Sequence, residues 1–147
     1  MLNDINPELM LLIIKISIVV LIITSLVVSV FFILAQQKLS KYLSVINKNE
    51  KINPLWLWTQ LIPIWSYIAL IVTAIKLNDQ IKLYNQLYEH KLVFKISIIY
   101  WYVILSFLSL MPLTMVLNIV IAITTIILFV LIWSNISKLN NKIKKFA

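Results

Sequence analysis

Four apolar runs separated by short polar segments organise the chain. The first, Ile16 to Ala35, reads ISIVVLIITSLVVSVFFILA and carries no charge, with Lys15 at its edge. The second, Leu55 to Ile75, follows Asn53-Pro54, a side-chain cap and a first-turn proline that suit a helix start. The third begins at Ile96 and reaches Leu113, and the fourth runs from Leu117 to Ser134. A crossing helix needs about 20 mostly apolar residues. The pattern therefore predicts an all-α membrane protein with four transmembrane helices, over about 16–35, 55–75, 96–113 and 117–134. Residues 96–134 are too long for one crossing at about 1.5 Å per residue, so Pro112 and Asn118 should make helices three and four a tight hairpin. A single integral membrane domain, 1–147, is expected.

Two polar connectors carry their own periodicity. Leu39, Tyr42, Leu43 and Ile46 form one helical stripe, and Leu77, Ile81, Tyr84 and Tyr88 form another. Each stripe predicts either an extension of the preceding membrane helix or a helix lying on the bilayer surface. The first run is too long for a cleaved signal, has no early Lys or Arg, and places Phe32 where a small residue would be wanted. It is expected to remain.

Pro63 sits inside the second run, where it removes a backbone donor and crowds the Thr59 carbonyl, so the second helix should kink there. With four crossings, Lys15, Lys76, Lys82, Lys91, Lys95, Lys138, Lys142, Lys144 and Lys145 face one side, against Lys38, Lys41, Lys48 and Lys51 on the other. Nine against four predicts both termini in the cytoplasm of a bacterial inner membrane. The other arrangement makes the Pro63 segment re-entrant. Three crossings then put every lysine except Lys15 on the cytoplasmic side.

Composition narrows the chemistry. The chain is 62% hydrophobic and 12% charged, with no Gly and no Cys. Phosphate-cradling glycine loops, nucleophile elbows, disulfides and thiolate metal sites are therefore excluded. The formal charge of +8 comes entirely from lysines between apolar runs, a pattern of membrane flanks; Arg, the commonest reader of base edges, is absent, so no nucleic-acid partner is expected. No pair of carboxylates lies within a run, which argues against proton-coupled carriers and intramembrane aspartyl proteases. His90, beside Glu89 and eleven residues after Asp79, reads as a solvated connector residue rather than a pH sensor or metal ligand. No enzyme activity, metal or cofactor is expected.

Thr59, Gln60 and Pro63 form the most distinctive cluster. On a kinked helix Gln60 shares a face with Trp56, Ile64 and Tyr67, and the freed Thr59 carbonyl beside its amide would hold an ion or a water chain. The plainer reading has Gln60 bond a neighbouring helix. Ser25 and Ser29 are one turn apart and predict a close-packing seam. Ser106, Ser109 and Pro112 mark one face of the third helix, with Thr124 and Thr125 on the fourth, suiting either helix packing or the lining of a pore. Lys15, Trp56, Trp58, Trp101 and Trp133 fall where interface anchors belong.

The stretch from Asn53 to Trp65, NPLWLWTQLIPIW, resembles a motif of uncharacterised small bacterial multi-spanning membrane proteins. In those proteins an Asn-Pro entry, a Trp and a Leu-Ile-Pro step followed by an aromatic recur in the second hydrophobic segment. Where they have Gly near the entry and Asn after the aromatic, this chain has Leu55 and Ser66. The resemblance implies a fold and no activity. Together these features predict a non-enzymatic accessory or scaffold subunit, associating with the lipid bilayer and with copies of itself or another membrane protein. The alternatives are a self-assembling pore or membrane-disrupting effector and, behind it, a small-molecule carrier.

Overall fold

The computed structural model describes residues 7–48, 50–88 and 91–145, and among them every regular element is helical. Helix α1 spans Pro7–Asn47, α2 Pro54–Trp58, α3 Trp65–Leu87, α4 Ile96–Leu108 and α5 Met115–Ile143. A 3₁₀ turn, Thr59–Leu61, continues α2. Two helices, α1 and α5, are long and apolar enough to cross a membrane. Only 11% of the most apolar window of each is buried inside the protein, whereas the core helix of a water-soluble domain would be mostly covered.

Side-chain pairings set the helix directions. Phe32 of α1 meets Phe129 and Trp133 of α5, and Asn140 Nδ2 further along α5 donates to the Ala35 carbonyl at 2.9 Å. Ile33 of α1 and Leu70 of α3 border one cavity, and further along both helices Asn47 Nδ2 donates to the Gln80 carbonyl at 2.8 Å. Thus α1, α3 and α5 run in one direction. Helix α4 returns against α5, with Tyr102 beside Phe129 and the Lys95 N–H on Asn135 Oδ1. The hairpin of α4 and α5 turns through Ser109 to Thr114, as Pro112 led one to expect.

The run Leu55 to Ile75 is not one kinked helix. It breaks into α2, the 3₁₀ turn and α3, with a reversal at residues 62–64. Ile64 has φ 66° and ψ −52°, and the Trp65 N–H donates to the Pro63 carbonyl at 2.7 Å, the geometry of a strained γ-turn. After the reversal α2 lies antiparallel to α3: Lys76 Nζ sits 5.9 Å from the Trp56 ring, and the Thr73 hydroxyl reaches the Trp56 carbonyl at 3.5 Å. The Asn53 cap forms as expected, its Oδ1 accepting from the Leu55 N–H at 2.9 Å. Pro63 lacks the N–H that would continue the ladder, and the helix stops instead of bending.

This reversal brings the polar segments together. The end of α1, the segment 50–53, the second half of α3, the 91–95 connector and the end of α5 share one end of the bundle, and with them lie twelve of the thirteen lysines. Both connector stripes prove to be helix extensions, with Leu39, Leu43, Leu77, Ile81 and Tyr84 buried between α1, α3 and α5. Burial, then the neighbouring Tyr88 ring, raises the Tyr84 phenol above its ordinary pKa. Amide side chains pin this end: Gln80 Nε2 donates to the Glu50 carbonyl at 3.0 Å, and Asn85 both donates to and accepts from the Leu92 backbone, at 2.8 and 2.7 Å. The Ser40 hydroxyl accepts from the Ile52 N–H at 3.0 Å. At the opposite end, residues 7–27 of α1 are exposed, Lys15 among them.

Candidate functional site

Gln60 is held by α1, the plainer of its two readings. Its Nε2 donates to Gln36 Oε1 at 2.9 Å, and Gln36 Nε2 donates back to Gln60 Oε1 at 3.2 Å, a reciprocal amide pair. Thr73 Oγ1 accepts a further bond from Gln60 Nε2 at 3.3 Å. The Thr59 carbonyl is not left without a donor, because the Ile62 N–H reaches it at 3.0 Å in the 3₁₀ turn. Ile64 lies in the reversal and Tyr67 beyond it, so the single face expected for Trp56, Gln60, Ile64 and Tyr67 does not exist. Gln36, at 1% exposure, and Thr73, at 0%, were not singled out from sequence. Gln36 follows an uncharged run directly, and that position was the available signal.

The serine positions converge. A hollow of about 370 Å³ opens between α1, α3, α4 and α5, lined by Ser25, Ser29, Tyr67, Tyr102, Ser106, Ser109, Thr125 and Phe129, among others. A smaller cavity of about 130 Å³ shares Ser29, Tyr67, Tyr102 and Phe129 with it and adds Gln60 and Ser66. Of the hydroxyl residues expected to line a site or pack helices, Ser25, Ser29, Ser106, Ser109 and Thr125 border the larger hollow, while Gln60 borders only the smaller cavity, with Ser29; Thr59 and Thr124 line neither, and Pro63 is exposed at the reversal.

The hydroxyl protons in this hollow point back into the helices. Ser25 donates to the Ile22 carbonyl at 2.9 Å, Ser29 to Ser25 at 2.8 Å, Ser106 to Tyr102 at 2.7 Å and Ser109 to Ser106 at 2.7 Å. Thr125 does the same to Ala122 at 2.8 Å. Back-bonded hydroxyls are satisfied locally and present small, smooth side chains outward. A concave strip of such residues admits another helix closely.

The tryptophans divide by partner. Trp58 and Trp101 are exposed, and Trp133 packs edge-on against Phe129, 5.8 Å between centroids. Trp56 stacks on Trp65 at 6.3 Å with Lys76 over its ring. Among the described residues no cluster of His, Asp or Glu could hold a metal ion. Glu89 and His90 lie outside the described residues.

Comparison with protein-family models, with curated proteins and with solved structures finds no match, so the functional reading rests on this geometry.

Proposed function

We propose that the chain is a non-enzymatic multi-pass protein of a bacterial inner membrane that acts as a scaffold by helix association, first with a second copy of itself. In this reading α1, α4 and α5 cross the bilayer, and the α2–α3 hairpin re-enters from the lysine-bearing side. The lengths of α1 and α5 support it, whereas α4 by itself covers about 20 Å. Residues 16–37 of α1 and 115–134 of α5 measure roughly 30 Å each, the thickness of a hydrocarbon core. The apolar part of α3, residues 65–75, covers only about 16 Å, half that depth. A lysine-rich end faces the cytoplasm by the positive-inside rule, so the beginning of α1 lies across the membrane from the tail of α5.

The carrying observation is the hydroxyl-lined hollow beside α1. The exposed, largely apolar stretch 9–24 of α1 leads directly into Ser25 and Ser29 on the rim of that hollow. Two copies related by a two-fold axis would each seat the flank of α1 against the partner's hollow, a self-complementary contact. Depth would be set by Trp58, Trp101, Trp133 and Lys15 at the interfaces, with Trp56 sandwiched beside Lys76. The rival pore reading loses its main polar group, because the amide of Gln60 is engaged by Gln36 and Thr73.

The test co-expresses two singly substituted copies, Ser25→Cys and Ser106→Cys, in native membranes and applies a short thiol cross-linker. A dimer band is expected, absent when Val27→Cys replaces Ser25→Cys. A monomer with both pairs refutes self-association. Ion leak from vesicles holding the purified protein, lowered by Gln60→Leu, would instead establish the pore.

A further inference from the structure

A further cavity, of about 340 Å³, is bordered by α1, residues 51–52 and α2. One wall is apolar, made by Ile52, Pro54 and Leu57, and continues into the exposed Leu55 and Trp58 of α2. Lys41, Lys51 and Gln37 supply its polar lining. Ser40 also borders it, but its hydroxyl already accepts from the Ile52 N–H at 3.0 Å.

Its charge is unbalanced. No carboxylate lines this cavity. The adjoining cavity across Lys51 differs, since Glu50 and Asp79 line it together with Lys51 and Lys76. Two ammonium groups facing one hollow repel each other until an anion lies between them. Free phosphate would satisfy the amines but leave the Pro54–Leu57 wall without a partner. A phospholipid uses both walls at once, phosphate on the lysines and upper acyl chain on the apolar side. A headgroup with its own ammonium would meet the lysines with like charge, so an anionic headgroup fits best. Basic pockets at the cytoplasmic margin of membrane helices bind such headgroups.

We infer that this cavity is a binding site for an anionic phospholipid, with Lys41 and Lys51 holding the phosphate. The site lies beside the reversal of the chain, and its lipid would brace α2 against α1. The inference rests on bilayer embedding and is independent of self-association.

The experiment takes the full chain in detergent and counts adducts by native mass spectrometry with phosphatidylglycerol, phosphatidylcholine or inorganic phosphate. Wild type should retain phosphatidylglycerol well beyond phosphatidylcholine, each lysine removed should weaken it about fivefold, and Lys41→Gln/Lys51→Gln should abolish the preference. Lys144→Gln/Lys145→Gln, at the tail, should keep it. Equal retention of both lipids by wild type overturns the proposal, as does equal loss in the tail variant, which marks diffuse attraction. Phosphate binding as well as the lipid overturns it too. Embedding is read separately: a protein that pellets with membranes yet shows no lipid preference loses the site and keeps the membrane assignment.

Discussion

Replacing Gln60 by Leu tests the amide pair that ties the α2–α3 hairpin to α1. The change removes three bonds, at 2.9, 3.2 and 3.3 Å, and leaves the Gln36 side chain, only 1% exposed, without the amide it pairs with. An unpaired buried polar group costs about 1–3 kcal/mol. The adjoining cavity of about 130 Å³ can admit water to the pair, which puts the expected loss for Gln60→Leu near the lower end, about 1–2 kcal/mol. Gln36→Leu should cost a similar amount for the reciprocal reason. The double variant removes donor and acceptor together, so it should be more stable than the sum of the single losses allows. Polar contacts between membrane helices couple by about 0.6 kcal/mol on average and about 1.7 at most, which sets the interaction energy expected from the cycle. The assay is reversible unfolding in mixed micelles, followed by the fluorescence of Trp56 and Trp65, which stack across the hairpin. Additivity within about 0.3 kcal/mol would mean that the two amides do not act as a pair, and the docking of α2 on α1 would need another cause.

Two further substitutions probe the packing. Ile64→Gly relieves a β-branched residue at φ 66° whose side chain is 72% exposed; strain of about 1–3 kcal/mol less an unfolded-state penalty of about 0.5–1 predicts a net gain near 1 kcal/mol, read as a higher unfolding midpoint. Phe32→Ala empties the contact of α1 with Phe129 and Trp133 and should cost about 3 kcal/mol, with α1 becoming accessible to protease before α5; unchanged stability would show that this cluster does not hold α1.

Much of the architecture was legible because hydropathy and helical period act locally. The uncharged stretch before Gln36 marks α1, and Pro112 marks the turn between α4 and α5. The stripes at Leu39/Leu43 and Leu77/Ile81/Tyr84 foretell that α1 and α3 run on past the apolar zone. The second run misled for a physical reason. Leu55 to Ile75 is long enough for one continuous helix, and apolar character alone does not distinguish that from two antiparallel helices. The choice is made by contacts distant in sequence: Gln60 with Gln36, Thr73 with the Trp56 carbonyl, and Lys76 over the Trp56 ring. Ser25, Ser29, Ser106 and Ser109 could be picked out by spacing. Their meeting around one hollow depends on the parallel course of α1 and α5, and no local pattern encodes that.

The reversal at Pro63-Ile64 is best tested by side. The chain has no cysteine, so Glu8→Cys, Lys51→Cys, Lys82→Cys and Lys142→Cys can each be labelled alone in cells with a membrane-impermeant maleimide. Cysteines at 51, 82 and 142 should react only after the membrane is opened, and the one at position 8 before. Labelling at 51 in intact cells, with 82 protected, would make Leu55 to Ile75 a full crossing and contradict the re-entrant hairpin.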